Sequence, residues 1–422
     1  MGSHYQNGVV GINVDLPVKA VVVGTSIQPP YCLISSGKSS IQWNLRIEKR
    51  PNPTGLTPNE FVAEATKSVK TPEGTITLFD TGLPVESSIG WWTVLHHTKQ
   101  QNQSIIGRFA LPAKGKQMIL ATLITNAEGW RFGKDLFIQT LLSIEPLDPA
   151  VLLYGKLAAL DAGSAFLASL SQESLRRMDG FQEWRRIQSI EDDGAKRDIG
   201  YAFVAVTLGT IQDIEKPNRT SSNVDATGII VKFQSRLVPN LETGVVSDTD
   251  ATYWMSWDGQ DERWSSKTTR WVDEINATTS ETGLCNRPQL GAPKSKLLVV
   301  TQDLTTSLVE PPFEIEIQHP WLPRALTWIT GPLFSSVGTS TKYRWWCYDN
   351  IGTQKAMTRS DSLTILPDNT FTLSTQFGEN TEDATSLFGH DGKLIQQTVQ
   401  DDVVVTGSTR EALTKIWGPR NL

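Results

Sequence analysis

The amino-acid sequence predicts a mainly β protein: an antiparallel jelly roll or β-sandwich, a central helical insertion and a second β-rich domain. Three observations lead there. Short runs of alternating apolar and polar residues recur along most of the chain, punctuated by joints rich in Pro, Gly and Asn. The clearest run, Ser40-Ile41-Gln42-Trp43-Asn44-Leu45-Arg46-Ile47-Glu48, is apolar at every second position, as a strand with one wet face should be. Only one long stretch, from Asp148 to Met178, repeats at the helical period instead.

Length and composition bound the rest. With 422 residues, 39% hydrophobic and 20% charged, the chain can fill the cores of two domains and is too apolar to be disordered throughout. The expected divisions are 1–147 for the sandwich, 148–194 for the helical insertion, 195–310 for a β-rich region and 311–422 for a C-terminal β-rich region with a closing helix.

In the first division, strands are expected over 8–15, 18–23, 40–49, 74–79, 91–97, 105–111, 117–124 and 136–144. Gln28-Pro29-Pro30, Pro51-Asn52-Pro53, Pro84 and Asn126-Ala127-Glu128-Gly129 are the joints between them. A short helix is expected over 59–69, where Phe61, Ala65 and Val69 follow Pro58 at helical spacing. About eight strands in such a length suit a sandwich, a jelly roll or a closed barrel.

The helical insertion has its own start and stop. Asp148 suits an N-cap, and Pro149 suits the first helical position, where its missing N–H costs nothing. Leu153, Leu157, Leu160, Leu167 and Leu170 line up as an apolar stripe, expected to face the protein's own sheets and to leave Lys156, Asp161, Gln172 and Arg176 outside. Gly163-Ser164 fall where the stripe skips a turn, so a break into two helices is expected there. Gly180 supplies the stop.

Beyond it, strands are expected over 201–208, 226–236, 252–257, 263–271, 296–301, 313–318, 342–348, 362–366, 370–377, 393–400 and 403–405. Asp258-Gly259, Asp349-Asn350-Ile351-Gly352, Pro367-Asp368-Asn369 and Asp391-Gly392 read as hairpin turns. The polar segment 273–294, interrupted by Gly and Pro, is expected to be a long surface loop, and Pro311-Pro312 marks a second boundary. A closing helix is expected over 408–417, stopped by Gly418-Pro419.

The residue inventory disfavours several kinds of chemistry. Cys32, Cys285 and Cys347 are odd in number and far apart, which suits neither a disulfide framework nor a zinc site. His96 and His97 are neighbours in an expected strand and point to opposite faces, while His319 and His390 stand alone, so no metal site is expected. Asp248, Asp250, Asp258, Asp261 and Glu262 approach a calcium loop, but Tyr253 stands where such a loop needs Gly. No P-loop, dinucleotide fingerprint or nucleophile elbow is present, and neither a catalytic residue nor a cofactor is expected. A net charge of −6, with only Lys19 and Lys38 as cations in the first forty residues, is not that of a protein devoted to phosphate. Neither an export segment nor an apolar run of membrane-spanning length is expected, which points to a virion or the host cytoplasm rather than to secretion by a classical signal.

Aromatic residues are the positive signal. Trp254, Trp257, Trp264 and Trp271 crowd together with Tyr253, Arg263 and Arg270, and Trp345-Trp346 follow Arg344. These six tryptophans are the candidate binding residues, as an aromatic surface or as the wall of a pocket. Gly90-Trp91-Trp92 resembles the Gly-x-Trp of lipocalin barrels, although it follows several strands and that motif opens the lipocalin fold.

The expected role is a structural assembly subunit: a viral capsid (coat) protein that self-associates into a homo-oligomeric shell, with other coat subunits as partners and no strong nucleic-acid or membrane signature. The second expectation is a cytosolic lipocalin-like two-domain β protein that binds an apolar small molecule, with cyclisation of that molecule as a further option. It would use the six tryptophans as walls and Asp258, Glu262 or Asp349 as proton donors. A glycan-binding module is the third.

Overall fold

The computed structural model describes residues 2, 4–27, 29–37, 41–67, 75–81, 91–99, 102–191, 193–214, 226–238, 244–272, 275–285, 295–349, 355–378, 384–399 and 403–418. Strand makes up 53% and helix 22%, so the mainly β class holds. The chain forms two compact units, one built on Met1–Lys156 and the other on Leu157–Gly378 and Asp383–Leu422.

The first unit contains β1 (His4–Asn7), β2 (Ile12–Asp15), β3 (Val21–Ile27), β4 (Pro30–Ser35), β5 (Trp43–Pro51), α1 (Pro58–Lys67), β6 (Thr75–Thr81), β7 (Trp91–Lys99), β8 (Asn102–Ala113), β9 (Gln117–Thr125), α2 (Ala127–Leu142) and β10 (Glu145–Pro146). Seven strands pair in the order β3-β4-β5-β9-β8-β7-β6, and β1-β2-β10 form a small second sheet. Every pairing is antiparallel, and most join sequence neighbours. Two meanders, β3-β4-β5 and β6-β7-β8-β9, meet at the β5–β9 pairing, and the interleaved order of a jelly roll does not occur among the described strands.

Alternation decides which side chains go to which face of the larger sheet. Trp43, Leu45, Ile47, Phe109, Ile119 and Leu123 pack with β2 and α2, whereas Ala110, Met118 and Leu120 pack under Phe61 and Val62 of α1. β9 is therefore buried on both faces. The expected strand over 136–144 is mostly helix. Asn126 accepts a hydrogen bond from the Gly129 N–H at 2.6 Å, so the joint read as a turn is an N-cap. Trp130, Gly133, Phe137 and Leu141 then recur at helical spacing and bury one face of α2. Phe137 meets Trp43 edge-on at 5.9 Å, so tertiary burial outweighs an apolar run that would also suit a strand.

The second unit contains most of α3 (Pro149–Ser169), then α4 (Gln172–Arg176), β11 (Gln182–Ile190), β12 (Lys196–Thr210), β13 (Thr227–Leu237), β14 (Val246–Ser256), β15 (Glu262–Val272), β16 (Ile275–Cys285), β17 (Lys296–Asp303), β18 (Leu308–Val309) and β19 (Phe313–Glu316). After these come α5 (Arg324–Trp328), α6 (Thr330–Phe334), β20 (Thr341–Asp349), β21 (Lys355–Ile365), β22 (Phe371–Phe377), β23 (Ala384–Phe388), β24 (Leu394–Val399), β25 (Val403–Ser408) and α7 (Arg410–Trp417). All 15 strands belong to one sheet, with β11 beside β25 and β19 beside β17. The chain just after β19 reaches the other end of the path. The Trp346 N–H donates to the Pro320 carbonyl at 2.8 Å, and the Leu322 N–H donates to the Trp346 carbonyl at 2.7 Å. The sheet thus curls around a core that includes Val204, Leu297, Trp345, Leu373 and residues of α5 and α6. Strands of the two expected regions 195–310 and 311–422 are joined in it.

The expected loop over 273–294 is also corrected. Ile275–Cys285 is a strand paired along its length with β15, while 286–294 lie outside the described residues. Its buried positions are Glu281, Gly283 and Cys285, so no apolar alternation announces it. Gly283 is required because a Cβ there would lie 2.0 Å from the Trp264 ring.

α3 starts as expected, with Asp148 accepting from the Ala150 N–H at 3.0 Å. It does not break at Gly163. It runs to Ser169, and Ser171 caps α4 by accepting from the Ser174 N–H at 3.1 Å. Gly163 is instead a contact point, since a Cβ there would meet the Arg344 carbonyl oxygen at 2.4 Å. Only the C-terminal part of the leucine stripe faces the core: Leu153 is 58% exposed and Leu157 47%. Ala162, Phe166, Leu167 and Leu170 pack on the core, with Phe166 stacked on Phe334 at 4.9 Å. Contrary to the expectation that no apolar run reaches membrane-spanning length, Ala150–Ser169 is long and apolar enough by length and composition, with 6% of it buried. Lys156 and Asp161 interrupt the apolar run without exceeding what such a helix tolerates.

Two glycines of α3 therefore have opposite values. Gly163→Ala forces a methyl against backbone and is expected to lower stability by about 1–3 kcal/mol. Gly155→Ala meets nothing within 4 Å and is expected to raise it by about 0.5–1 kcal/mol through helix propensity. Urea denaturation of the two variants checks both signs.

Candidate functional site

A cavity of about 300 Å³ opens at the end of the curled sheet where β14 turns into β15 and β16 runs out. Leu167 of α3, Leu170 just after it, Leu175 of α4, Met255 and Leu326 supply its apolar lining, while Trp257 and Trp321 are its aromatic walls. The polar lining groups include Asp258, Gln260, Cys285 and His319.

The β14–β15 hairpin is shaped by its own residues. Gly259 takes a positive φ of 67° and its N–H donates to the Ser256 carbonyl at 2.9 Å. Asp258 accepts from the Ser256 hydroxyl at 2.8 Å and from the Gln260 N–H at 3.2 Å, which holds the turn at the cavity rim. The Trp257 indole donates to the Thr227 hydroxyl at 3.0 Å, and the Arg176 guanidinium lies 5.4 Å from its ring.

Behind the wall lies a buried polar network. Glu262, at the start of β15, accepts from the Trp321 indole N–H at 2.7 Å and from the Arg324 backbone N–H at 2.8 Å. The Arg324 side chain sits among the rings of Tyr253, Trp264 and Tyr348, between 5.2 and 5.7 Å from their centres. Glu281 accepts from the Trp264 indole at 3.1 Å and the Tyr348 hydroxyl at 2.9 Å. Burial raises the pKa of Glu262 above the usual carboxylate range, opposed by its two hydrogen bonds and by the charge of Arg324. Burial, with Glu262 and Asp261 nearby, pushes the Cys285 thiol up to about 12. That thiol stays protonated at neutral pH and is no nucleophile.

The expected aromatic residues do not form one surface. Trp254, Trp264 and Trp345 are fully buried, and Trp345 donates its indole N–H to Asp361 at 2.8 Å. Trp257 lines the cavity, and Trp346 is half-buried beside the bridge to Trp321. Trp271 is 38% exposed at the far end of β15, about 30 Å from Glu262 at ordinary strand rise. Among the expected proton donors, Asp258 reaches the rim, Glu262 stands behind Trp321, and the Asp349 side chain lies outside the described residues. His319, Trp321 and Arg324 were missed; their only signal is the His319-Pro320-Trp321-Leu322-Pro323 run before a short helix. Among the described residues, no three His, Cys, Asp or Glu side chains are placed to hold a metal.

Glu262 links the network to stability. A carboxyl whose folded pKa is raised binds protons more strongly when folded, so its favourable contribution is full below the unfolded value and is lost as pH rises through the folded value. Glu262→Gln is expected to remove this fall, seen as the difference between parent and variant in urea titrations from acid to neutral pH. Glu262→Ala leaves two buried N–H groups and the Arg324 charge uncompensated, and is expected to cost about 3–5 kcal/mol.

No protein-family model and no curated protein sequence matches the chain. Two solved structures are similar to parts of it at low TM-score. The cyanobacterial PsbP of Synechocystis has 14% identity and a TM-score of 0.27, covering 34% of this chain and 91% of its own. A β-barrel-like protein of a domain of unknown function from Brucella abortus has 11% identity and a TM-score of 0.31, covering 55% of this chain and 96% of its own.

Proposed function

We propose that this protein binds an apolar small molecule in the cavity walled by Trp257 and Trp321. The observation that carries this reading is the lining itself: leucine, methionine and indole surfaces form one part of a space at the low end of the usual 300–1,000 Å³ of ligand pockets, and Ser164, Asp258, Gln260, Ser295 and His319 give the rest a polar character. Asp258, Gln260 and His319 suit one polar end of a ligand whose body is hydrocarbon or aromatic. The chemistry such a site supports is containment. A flexible molecule held in one folded shape can undergo an intramolecular cyclisation with much of its entropy cost already met, and this requires neither a thiolate nor a metal. Assembly into a viral shell has no comparable observation behind it and is not proposed.

The fluorophore N-phenyl-1-naphthylamine, neutral and apolar, tests the reading. Its emission is expected to rise saturably with one site per chain. Ala168→Trp, which places an indole in the cavity from an exposed position on α3, is expected to weaken binding about tenfold or more, since filling a pocket forces displacement of the ligand or the wall. Unsaturable emission, or equal affinity in parent and Ala168→Trp, would sink the proposal.

A further inference from the structure

The outer face of the same sheet carries a second concave region, of about 430 Å³, whose chemistry differs from that of the inner cavity. Register explains its make-up. One row across five strands runs Trp184, Phe203, Gln234, Asp250, Lys267, and the next runs Arg186, Tyr201, Arg236, Asp248, Thr269. Side chains directly opposite one another share a face, so each row is aromatic on β11 and β12 and polar on β13 to β15, apart from Arg186. Five strands span about 19 Å at ordinary strand spacing.

The aromatic end is only partly needed by the fold. Trp184 and Tyr201 pack with Leu413 and Trp417 of α7, whereas Phe203 lies outside that cluster and meets Trp184 at a tilt of 32°, with the ring centres 4.3 Å apart. All three rings are half-buried and line the groove. The polar end is preorganised: Arg236 makes a two-point contact with Asp248 at 2.7 and 2.9 Å, and Gln234 donates to Asp250 at 3.1 Å. Planar amide, carboxylate and guanidinium groups held edge to edge present paired donors and acceptors, which suit vicinal hydroxyls. Aromatic faces beside them suit the C–H face of a ring. Arg236, Lys267 and Arg410 against Asp248 and Asp250 nearly balance, so the groove offers no strong field for an anion.

We infer that this groove is a binding site for a neutral, polyhydroxylated ligand, an oligosaccharide segment lying across β11 to β15. It is separate from the inner cavity and does not depend on what that cavity holds.

Saturation-transfer NMR on the full chain tests it with cellotetraose, maltotetraose, xylotetraose and chitotetraose, and with a heparin-derived tetrasaccharide as the anionic control. Transfer to the ring C–H protons of at least one neutral probe is expected. Asp250→Asn keeps the shape of an exposed side chain and is expected to weaken binding about tenfold, the scale of a lost charge-assisted hydrogen bond. Phe203→Leu is expected to remove the aromatic contribution, and Ala168→Trp in the inner cavity is expected to change nothing. The inference is overturned if no neutral probe shows transfer, if the heparin fragment alone does, or if transfer is undiminished in both groove variants.

Discussion

A curled sheet of this size encloses more space than the side chains of its strands can fill, and the second unit is organised around that excess. Eight strands already make a barrel whose inward side chains just meet, and here 15 strands belong to one sheet. Empty apolar volume forfeits packing contacts, so the chain fills the interior itself. Helices α5 and α6 and the second half of α3 provide the filling. Phe166, Phe334, Tyr343 and Trp345 stack where α3 approaches β20, and Gly163 allows that approach. The cavity beside Trp257 and Trp321 is what remains unfilled at one end.

Filling a sheet with short helices brings polar backbone into a dry interior. A five-residue helix such as α5 leaves its first N–H groups without partners in the helix, and buried groups of this kind need acceptors. Glu262 supplies one from across the sheet, taking the N–H of Arg324 62 positions later in the chain. The same carboxyl holds the indole of Trp321, so the cavity wall and the end of the helix share one acceptor. The guanidinium of Arg324 then rests among aromatic rings, where cation–π attraction offsets part of its desolvation.

Strand alternation keeps the two concave regions chemically apart. On β14, Tyr253 and Met255 face the filled interior while Asp248 and Asp250 face the outer groove. On β12, Val204 and Val206 face inward and Tyr201 and Phe203 outward. A cavity on the inner side and a groove with charged groups on the outer side are thus built on the same sheet.

Local chemistry was enough to place several elements from the amino-acid order alone. Alternation located β5, β20 and β22, the Asp258-Gly259 and Asp391-Gly392 turns set hairpins, Asp148 set the start of α3, and the tryptophan-rich stretch contained a cavity residue, Trp257. Tertiary structure decided what depends on partners distant in the chain. The run over 136–144 suits strand or helix, and burial of Trp130 and Phe137 beside Trp43 selected helix. β16 was hidden because its inward positions, Glu281 and Gly283, are chosen by Tyr348 and Trp264 rather than by hydrophobicity. The leucine stripe of α3 is a true helical pattern, yet which face becomes buried depends on the sheet against which Phe166 packs. His319, Trp321 and Arg324 acquire their places only when the sheet curls and the chain after β19 meets Trp346, a closure between residues that no local pattern joins.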